Sequence, residues 1–372
     1  MTAPIHTTQN WQPEQYDMVI DVRSPSEFAD DHIEGAVNLP ALFDDERAVV
    51  GTLYKQASAF AARKAGAAFM LHNIAQHLET FLKDKPAGFR PLIHCWRGGK
   101  RSRAFALVLS EIGWTTYLLE GGYKAYRRDV LDKIKSLPKQ LQLIIIAGRT
   151  GSGKTALLQT LQQKQQQILD LEDLAAHRGS LLGQIPGRPQ PRQRLFESRL
   201  VQKLLQFEPD KTVFVESESS RIGNLQIPAP LWQVMTNAPL VTVDVPVSAR
   251  AAYLVSVYER LTTDSSDLSL LIDGMTRRHG HEITSKWRNL MKRKDWNGLA
   301  QSLLTTHYDP AYDQSVSRHE REEWLHLLQN DCSEEQRKKT VHRIISGLDE
   351  YTSASEVKHQ LKRGLNFISD DV

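Results

Sequence analysis

Apolar residues gather in short runs of strand length, each closed by polar or glycine-containing loops. Met18-Val19-Ile20 leads into Asp21-Val22-Arg23, and Ser24-Pro25-Ser26 then turns the chain toward a short helix opening at Ser26-Glu27-Phe28. His32 to Pro40 reads as a turn entering a second strand, Pro91 to His94 as a third and Thr115 to Leu119 as a fourth. Helical patterns lie between them, which predicts an α/β unit with a mostly parallel sheet. A second set follows: Leu141 to Ala147, Ile168-Leu169, Thr212 to Val215 and Leu240 to Val245. From Tyr258 onward the pattern is helical. The polar stretch Asp132 to Gln142, with Ser136-Leu137-Pro138 inside it, predicts a boundary. The expected domains are residues 1–137, with a helical insertion at about 42–85, and residues 138–372, helical and basic from about 258.

Within the first set, Cys95-Trp96-Arg97-Gly98-Gly99-Lys100-Arg101-Ser102 follows the third strand. Ser102 is expected to cap a helix whose apolar face is Ala104, Phe105, Leu107, Val108 and Ile112. A cysteine between a strand end and a helix start faces backbone N–H groups. Arg97, Lys100, Arg101 and Arg103 add positive charge, and each effect lowers a thiol pKa from its usual value of ~8.5. Gly98 and Gly99 let the backbone curl around whatever the sulfur holds. The insertion carries Tyr54, Lys55, Phe60, Arg63 and Lys64. It reads either as a helical elaboration packed on the sheet or as a lid or RNA-facing flap over Cys95.

The second set holds Gly148-Arg149-Thr150-Gly151-Ser152-Gly153-Lys154-Thr155 between a strand and a helix, the setting of a phosphate-binding P-loop. Gly148, Gly151, Ser152 and Gly153 turn successive N–H groups inward, Lys154 supplies a point charge, and Thr155 can ligate Mg²⁺ if a nucleotide is bound. Glu216, Glu218 and Asp170 stand at strand ends, where a carboxylate serves a metal or polar site or simply meets solvent. Arg250 reads as a phosphate contact or a surface ion pair.

Composition narrows the classes. The 372 residues exceed one typical core, and 40% apolar with 24% charged residues describe an ordinary globular chain. A net charge of +3 places any nucleic-acid contact in local clusters. Arg277, Arg278, Lys286, Arg288, Lys292, Arg293 and Lys294, with Trp287 and Trp296 among them, form such a cluster; the alternative is a solvated helix face. His279 and His281 lack a partner pair at metal spacing, so no metal site is expected. Two cysteines, no apolar run of membrane length and no basic-then-apolar leader fit a cytoplasmic protein away from membranes. Cys332, among Asp331, Ser333, Glu334 and Glu335, reads as a bystander with a raised pKa.

Four blocks in order, Asp21 to Phe28, His32 to Pro40, the cysteine loop and Glu120-Gly121-Gly122-Tyr123, resemble a rhodanese domain. That resemblance implies that Cys95 carries a chalcogen. One departure stands out: many single-domain rhodaneses have arginine five residues after the cysteine, where this chain has Lys100, with Arg101 next. The loop reads as one residue longer, wide enough for a larger or tetrahedral group, and its spacing also resembles that of phosphatases. Joined to Gly148–Thr155, Gly51 to Gln56 and Leu169 to Glu172, the blocks resemble the tRNA 2-selenouridine synthases over essentially the whole chain. The resemblance implies conversion of wobble 2-thiouridine in tRNA to 2-selenouridine through S-geranyl-2-thiouridine. It implies geranyl diphosphate and selenophosphate as co-substrates, no firmly bound cofactor, and Cys95 as the selenium-carrying nucleophile. A rhodanese-type sulfurtransferase with a nucleotide-binding regulatory domain is the alternative, and a phosphatase a further one.

Overall fold

The computed structural model describes residues 2–179, 183–185, 187–217, 219–259, 265–316 and 321–348. It divides into two compact units at Leu137/Pro138, with Gln190–Gln206 returning to the first unit.

The first unit contains β1 (Ile5–Thr8), β2 (Met18–Asp21), α1 (Pro25–Asp30), β3 (Val37–Asn38), α2 (Asp44–Gln56) and α3 (Ala59–Glu79). It continues with β4 (Pro91–His94), α4 (Lys100–Ile112), β5 (Thr116–Leu119) and α5 (Gly122–Ser136). Its sheet runs β1-β5-β4-β2-β3, and every pairing is parallel. β4 is therefore central and buried on both faces, as its unbroken apolar run requires. Ile20, Ile93, Phe105 and Leu109 form the core on one face, and Leu92, Tyr123, Tyr126 and Val130 the core on the other.

The second unit contains β6 (Gln142–Ala147), α6 (Lys154–Gln163), β7 (Gln167–Leu169) and α7 (Leu171–Leu174). α8 (Gln193–Leu205) then packs Val201 and Leu205 into the first unit's core. The second unit resumes with β8 (Thr212–Glu216), β9 (Arg221–Ile222), β10 (Leu225–Gln226), α9 (Ala229–Asn237), β11 (Leu240–Asp244) and α10 (Val247–Val257). α11 (Ser266–Lys292), α12 (Trp296–Leu303), a π-turn (Leu304–Tyr308), α13 (Asp309–Val316) and β12 (Glu323–Leu328) follow. Residues 334–348 are helical. This sheet runs β12-β11-β6-β8-β7, again all parallel. β6, which feeds the glycine loop, is its central strand.

Three expectations change. α1 begins at Pro25 with Ser24 and Glu27 forming its capping box, one residue earlier than expected. α4 begins at Lys100, so Ser102 lies inside it; the buried stripe is Ser102, Phe105, Ala106, Leu109 and Ser110, while Leu107 and Ile112 are exposed. Small serines at both ends of that stripe disguise its helical period in the sequence. β12 interrupts the helical C-terminal part, completing the sheet beside β11.

Candidate active sites

Cys95 is the first residue beyond β4, and its loop runs into the N-terminus of α4. Its sulfur accepts hydrogen bonds from the Gly99 N–H and the Ser102 hydroxyl, each at 3.2 Å. The side chain is buried. Burial alone would push the thiol pKa up. The Ser102 hydroxyl, the N–H groups of Ser102 and Arg97, and the Arg101 charge outweigh it and hold Cys95 below its ordinary range. Arg97 thus acts on the sulfur through its backbone N–H. Arg101 is steered by Glu27, which accepts from its guanidinium at 2.8 Å.

The second glycine pair braces this loop. Tyr123 N–H donates to the Cys95 carbonyl at 2.8 Å and Lys124 N–H to the Trp96 carbonyl at 3.0 Å. A Cβ at Gly122 would stand 2.3 Å from the Cys95 carbonyl and 2.5 Å from the Gly98 nitrogen. Only glycine allows α5 to approach so closely. Ser102 was expected in the loop, though as a helix cap and not as a donor to the sulfur; Glu27 and Gly122 were missed as functional residues, and both lie in blocks already picked out, so spacing alone could have flagged them.

In the second unit, Lys154 donates to the Gly148 carbonyl at 2.9 Å, and the Gly148 N–H donates to the Tyr312 hydroxyl at 2.9 Å. A Cβ at Gly148 would meet Ser152 Oγ at 2.6 Å and the Val243 carbonyl at 2.7 Å. Thr155 donates to Glu172 Oε2 at 3.1 Å, and the Glu172 N–H donates to Glu216 Oε1 at 2.9 Å. Glu216 is buried. Asp170 caps α7 through the Asp173 N–H at 2.8 Å. Glu218 lies outside the described residues. Among the described residues no three His, Cys, Asp or Glu side chains converge as a metal cluster.

Arg250 is no phosphate contact. It is buried, donates to the Thr150 carbonyl at 3.0 Å and pairs with Asp309 at 2.8 Å, fixing the loop from behind. Cys332 lies under the same loop, its sulfur 3.5 Å from the Gly151 carbonyl. Burial, more than the neighbouring Asp331, pushes its thiol up to about 11. The loop opens on a cavity of about 850 Å³ whose walls include Lys154, Thr155, Trp232, Tyr253, Leu254, Val257, Tyr258, Tyr308 and Tyr312. The aromatic wall was missed because its members are scattered over four segments.

The basic cluster is only partly as expected. Lys292, Arg293 and Lys294 close α11 at its C-terminal end, but Arg288 pairs with Asp273 at 2.6 Å. Gly280, with φ of +80°, breaks α11 into two helical segments; Arg277 and Arg278 lie before the break and Lys286 after it, all off the buried stripe. Trp287 is fully buried and donates to Ser302 at 2.9 Å, so it is no base-stacking platform, while Trp296 is partly buried against the same cluster. Helix packing claims the tryptophans because they fall on the apolar stripe of α11 and α12. His279 and His307 are hydrogen-bonded to each other at 2.8 Å.

These features define a rhodanese-like domain, with its cysteine cradle, fused to a P-loop domain. Family profiles agree: a rhodanese-like domain matches residues 7–129, and a tRNA 2-selenouridine synthase AAA domain matches residues 141–293. The tRNA 2-selenouridine synthase of Nitrosomonas europaea is 37% identical over 244 residues, covering 64% of this chain and 63% of that protein. That of Aeromonas salmonicida is 38% identical over 243 residues, covering 64% of each. Both alignments span just under two thirds of the relative. That of Marinobacter nauticus is 32% identical over 336 residues, covering 82% of this chain and 89% of that protein. The chain belongs to the tRNA 2-selenouridine synthase family. Among the described residues no helix is long and apolar enough to cross a membrane.

Proposed function

We propose that this chain converts the wobble 2-thiouridine of tRNA to 2-selenouridine through S-geranyl-2-thiouridine, using geranyl diphosphate and selenophosphate. The observation that carries the reading is the P-loop cavity, where a phosphate cradle adjoins an aromatic and aliphatic wall. A diphosphate with an apolar tail matches both halves. The nucleoside sulfur attacks the first carbon of the geranyl group, the carbon–oxygen bond breaks, and diphosphate departs. Lys154 and the loop N–H groups stabilise the developing charge. Thr155, Glu172 and Glu216 suit a Mg²⁺ shell around that diphosphate, with Asp170 held in its capping role.

Cys95 is the nucleophile of the selenium step. If its thiolate attacks selenium, an S–Se bond forms, the Se–P electron pair leaves on phosphorus, and a thiol reductant must later free the selenium. The Cys95–Arg101 spacing favours attack on phosphorus as a second route: selenide leaves with the electron pair, and phosphate stays on Cys95 until water removes it. Selenide then displaces the geranyl thiolate. Arg101, Lys100 and Arg97 would balance the anionic donor in either case.

The test is nucleoside mass spectrometry of thiolated tRNA incubated with each variant. Cys95→Ser should abolish 2-selenouridine yet leave the S-geranyl nucleoside. Lys154→Ala should lower S-geranyl-2-thiouridine at least tenfold. Unchanged selenation with Cys95→Ser, or unchanged geranylation with Lys154→Ala, would reject the corresponding assignment.

A further inference from the structure

α2 and α3 form a hairpin whose root is tied to the cysteine loop. Glu27, which steers Arg101, also lies 3.8 Å from Arg47 on α2. The Ser26 N–H donates to Asp44 at 3.0 Å, and Asn73 on α3 donates to Glu46 at 2.6 Å. The inner side of α3 is settled: Ala62, Gly66, Asn73, Ile74 and His77 are buried, and Ile74 belongs to the core that contains Cys95.

The outer side is unusual. Phe60, Arg63, Lys64, Ala67 and Leu71 fall on one face of α3, and Phe60 is 71% exposed and Leu71 61%. Tyr54, near the end of α2, is 49% exposed. From Ala48 to Leu78 the chain has Lys55, Arg63 and Lys64 but no carboxylate. Exposed aromatic rings set among cations of one sign suit a flexible polyanion that also offers flat rings. They do not suit a two-fold contact between copies, which would set these cations against themselves.

We propose that the outer face of the α2–α3 hairpin grips unpaired bases of an RNA loop, with Tyr54 and Phe60 stacking on bases and Lys55, Arg63 and Lys64 meeting phosphates. This rests on the reading that the chain acts on tRNA. It assigns the stacking role to this hairpin, since Trp287 is committed to packing and Trp296 is partly buried. Rooted at Glu27 and Arg101, the hairpin presents the RNA beside the nucleophile of its own unit.

The experiment is fluorescence anisotropy of a labelled anticodon stem-loop RNA with the full chain over a range of salt. Tyr54→Ala/Phe60→Ala should weaken binding about tenfold or more. Lys55→Gln/Arg63→Gln/Lys64→Gln should weaken it and flatten the salt dependence by roughly 0.7 in log–log slope for each phosphate that is no longer neutralised. Lys292→Gln/Arg293→Gln/Lys294→Gln is the comparison set, and circular dichroism checks that each variant is folded. Affinity within twofold of the parent and an unchanged slope in both hairpin variants would overturn the proposal while leaving the tRNA reading intact. So would an oligomer that dissociates in the hairpin variants with RNA affinity unchanged, which would mark a protein interface. A parent chain that binds no RNA at all would instead refute the underlying reading, and the proposal with it.

Discussion

The two glycine loops are built alike and used differently. Each follows the carboxyl end of a central parallel strand and opens a helix, so each gathers backbone N–H groups where an anion can sit. In the first, the chain supplies the ionisable group itself: the Cys95 sulfur occupies the cradle, 3.2 Å from the Gly99 N–H. In the second, the chain supplies a positive charge, Lys154, and leaves a cavity in front of it. Under the proposed function, one geometry would serve a nucleophile in one unit and a leaving group in the other. Their bracing differs too. The cysteine loop is held by backbone contact with Gly122, whereas the P-loop is held by the buried Arg250–Asp309 pair.

That contrast can be broken at its bracing first. Arg250→Met leaves Asp309 without its partner and should cost ~3–5 kcal/mol in denaturant unfolding, while Arg250→Met/Asp309→Leu should recover much of that loss. A loss below about 1 kcal/mol would remove the pair as the brace. Gly122→Ala forces a Cβ into the Cys95 loop at a φ of +59° and should cost ~2–4 kcal/mol. Gly153→Ala, with φ of +76° but its nearest contact at 3.8 Å, should cost only ~1–2 kcal/mol. Equal losses would show that conformational strain, not close approach, decides both.

The two thiols sharpen the comparison at smaller cost. Cys95 has a depressed pKa, so its contribution to stability is fully present above the unfolded thiol value of ~8.5 and is lost as pH falls through the folded pKa. Cys332 behaves oppositely: its proton is retained up to about 11, so stability falls as pH rises from ~8.5 toward that value. Thiolate absorbance should therefore titrate in two separated steps, and Cys95→Ser should remove only the lower one. Ser102→Ala should move that lower step upward. A single step near the ordinary thiol value, unchanged by Ser102→Ala, would contradict the reading of the cradle.

Much of this was legible in the sequence where chemistry and period coincide. β4 and the glycine loop after β6 stand out because an unbroken apolar run ends in glycines. β1 escaped because Ile5–Thr8 is short and mostly exposed at the sheet edge. β12 escaped because Trp324, Leu325, Leu327 and Leu328 fit a helix as well as a strand until β11 offers its parallel edge. The return of α8 to the first unit depends on pairs such as Arg194–Asp30, which no local pattern announces. The cavity wall is likewise a product of topology, and the burial of Trp287 removes the stacking ring that tryptophans interleaved with charge had suggested.

The most direct measurement is the mass of the Cys95 peptide after the full chain is mixed with selenophosphate and quenched in acid. The account predicts an adduct on Cys95, bearing either selenium or phosphate, that disappears in Cys95→Ser and precedes the labelled nucleoside. An unmodified Cys95 at every time point, with 2-selenouridine still accumulating in tRNA, would contradict it.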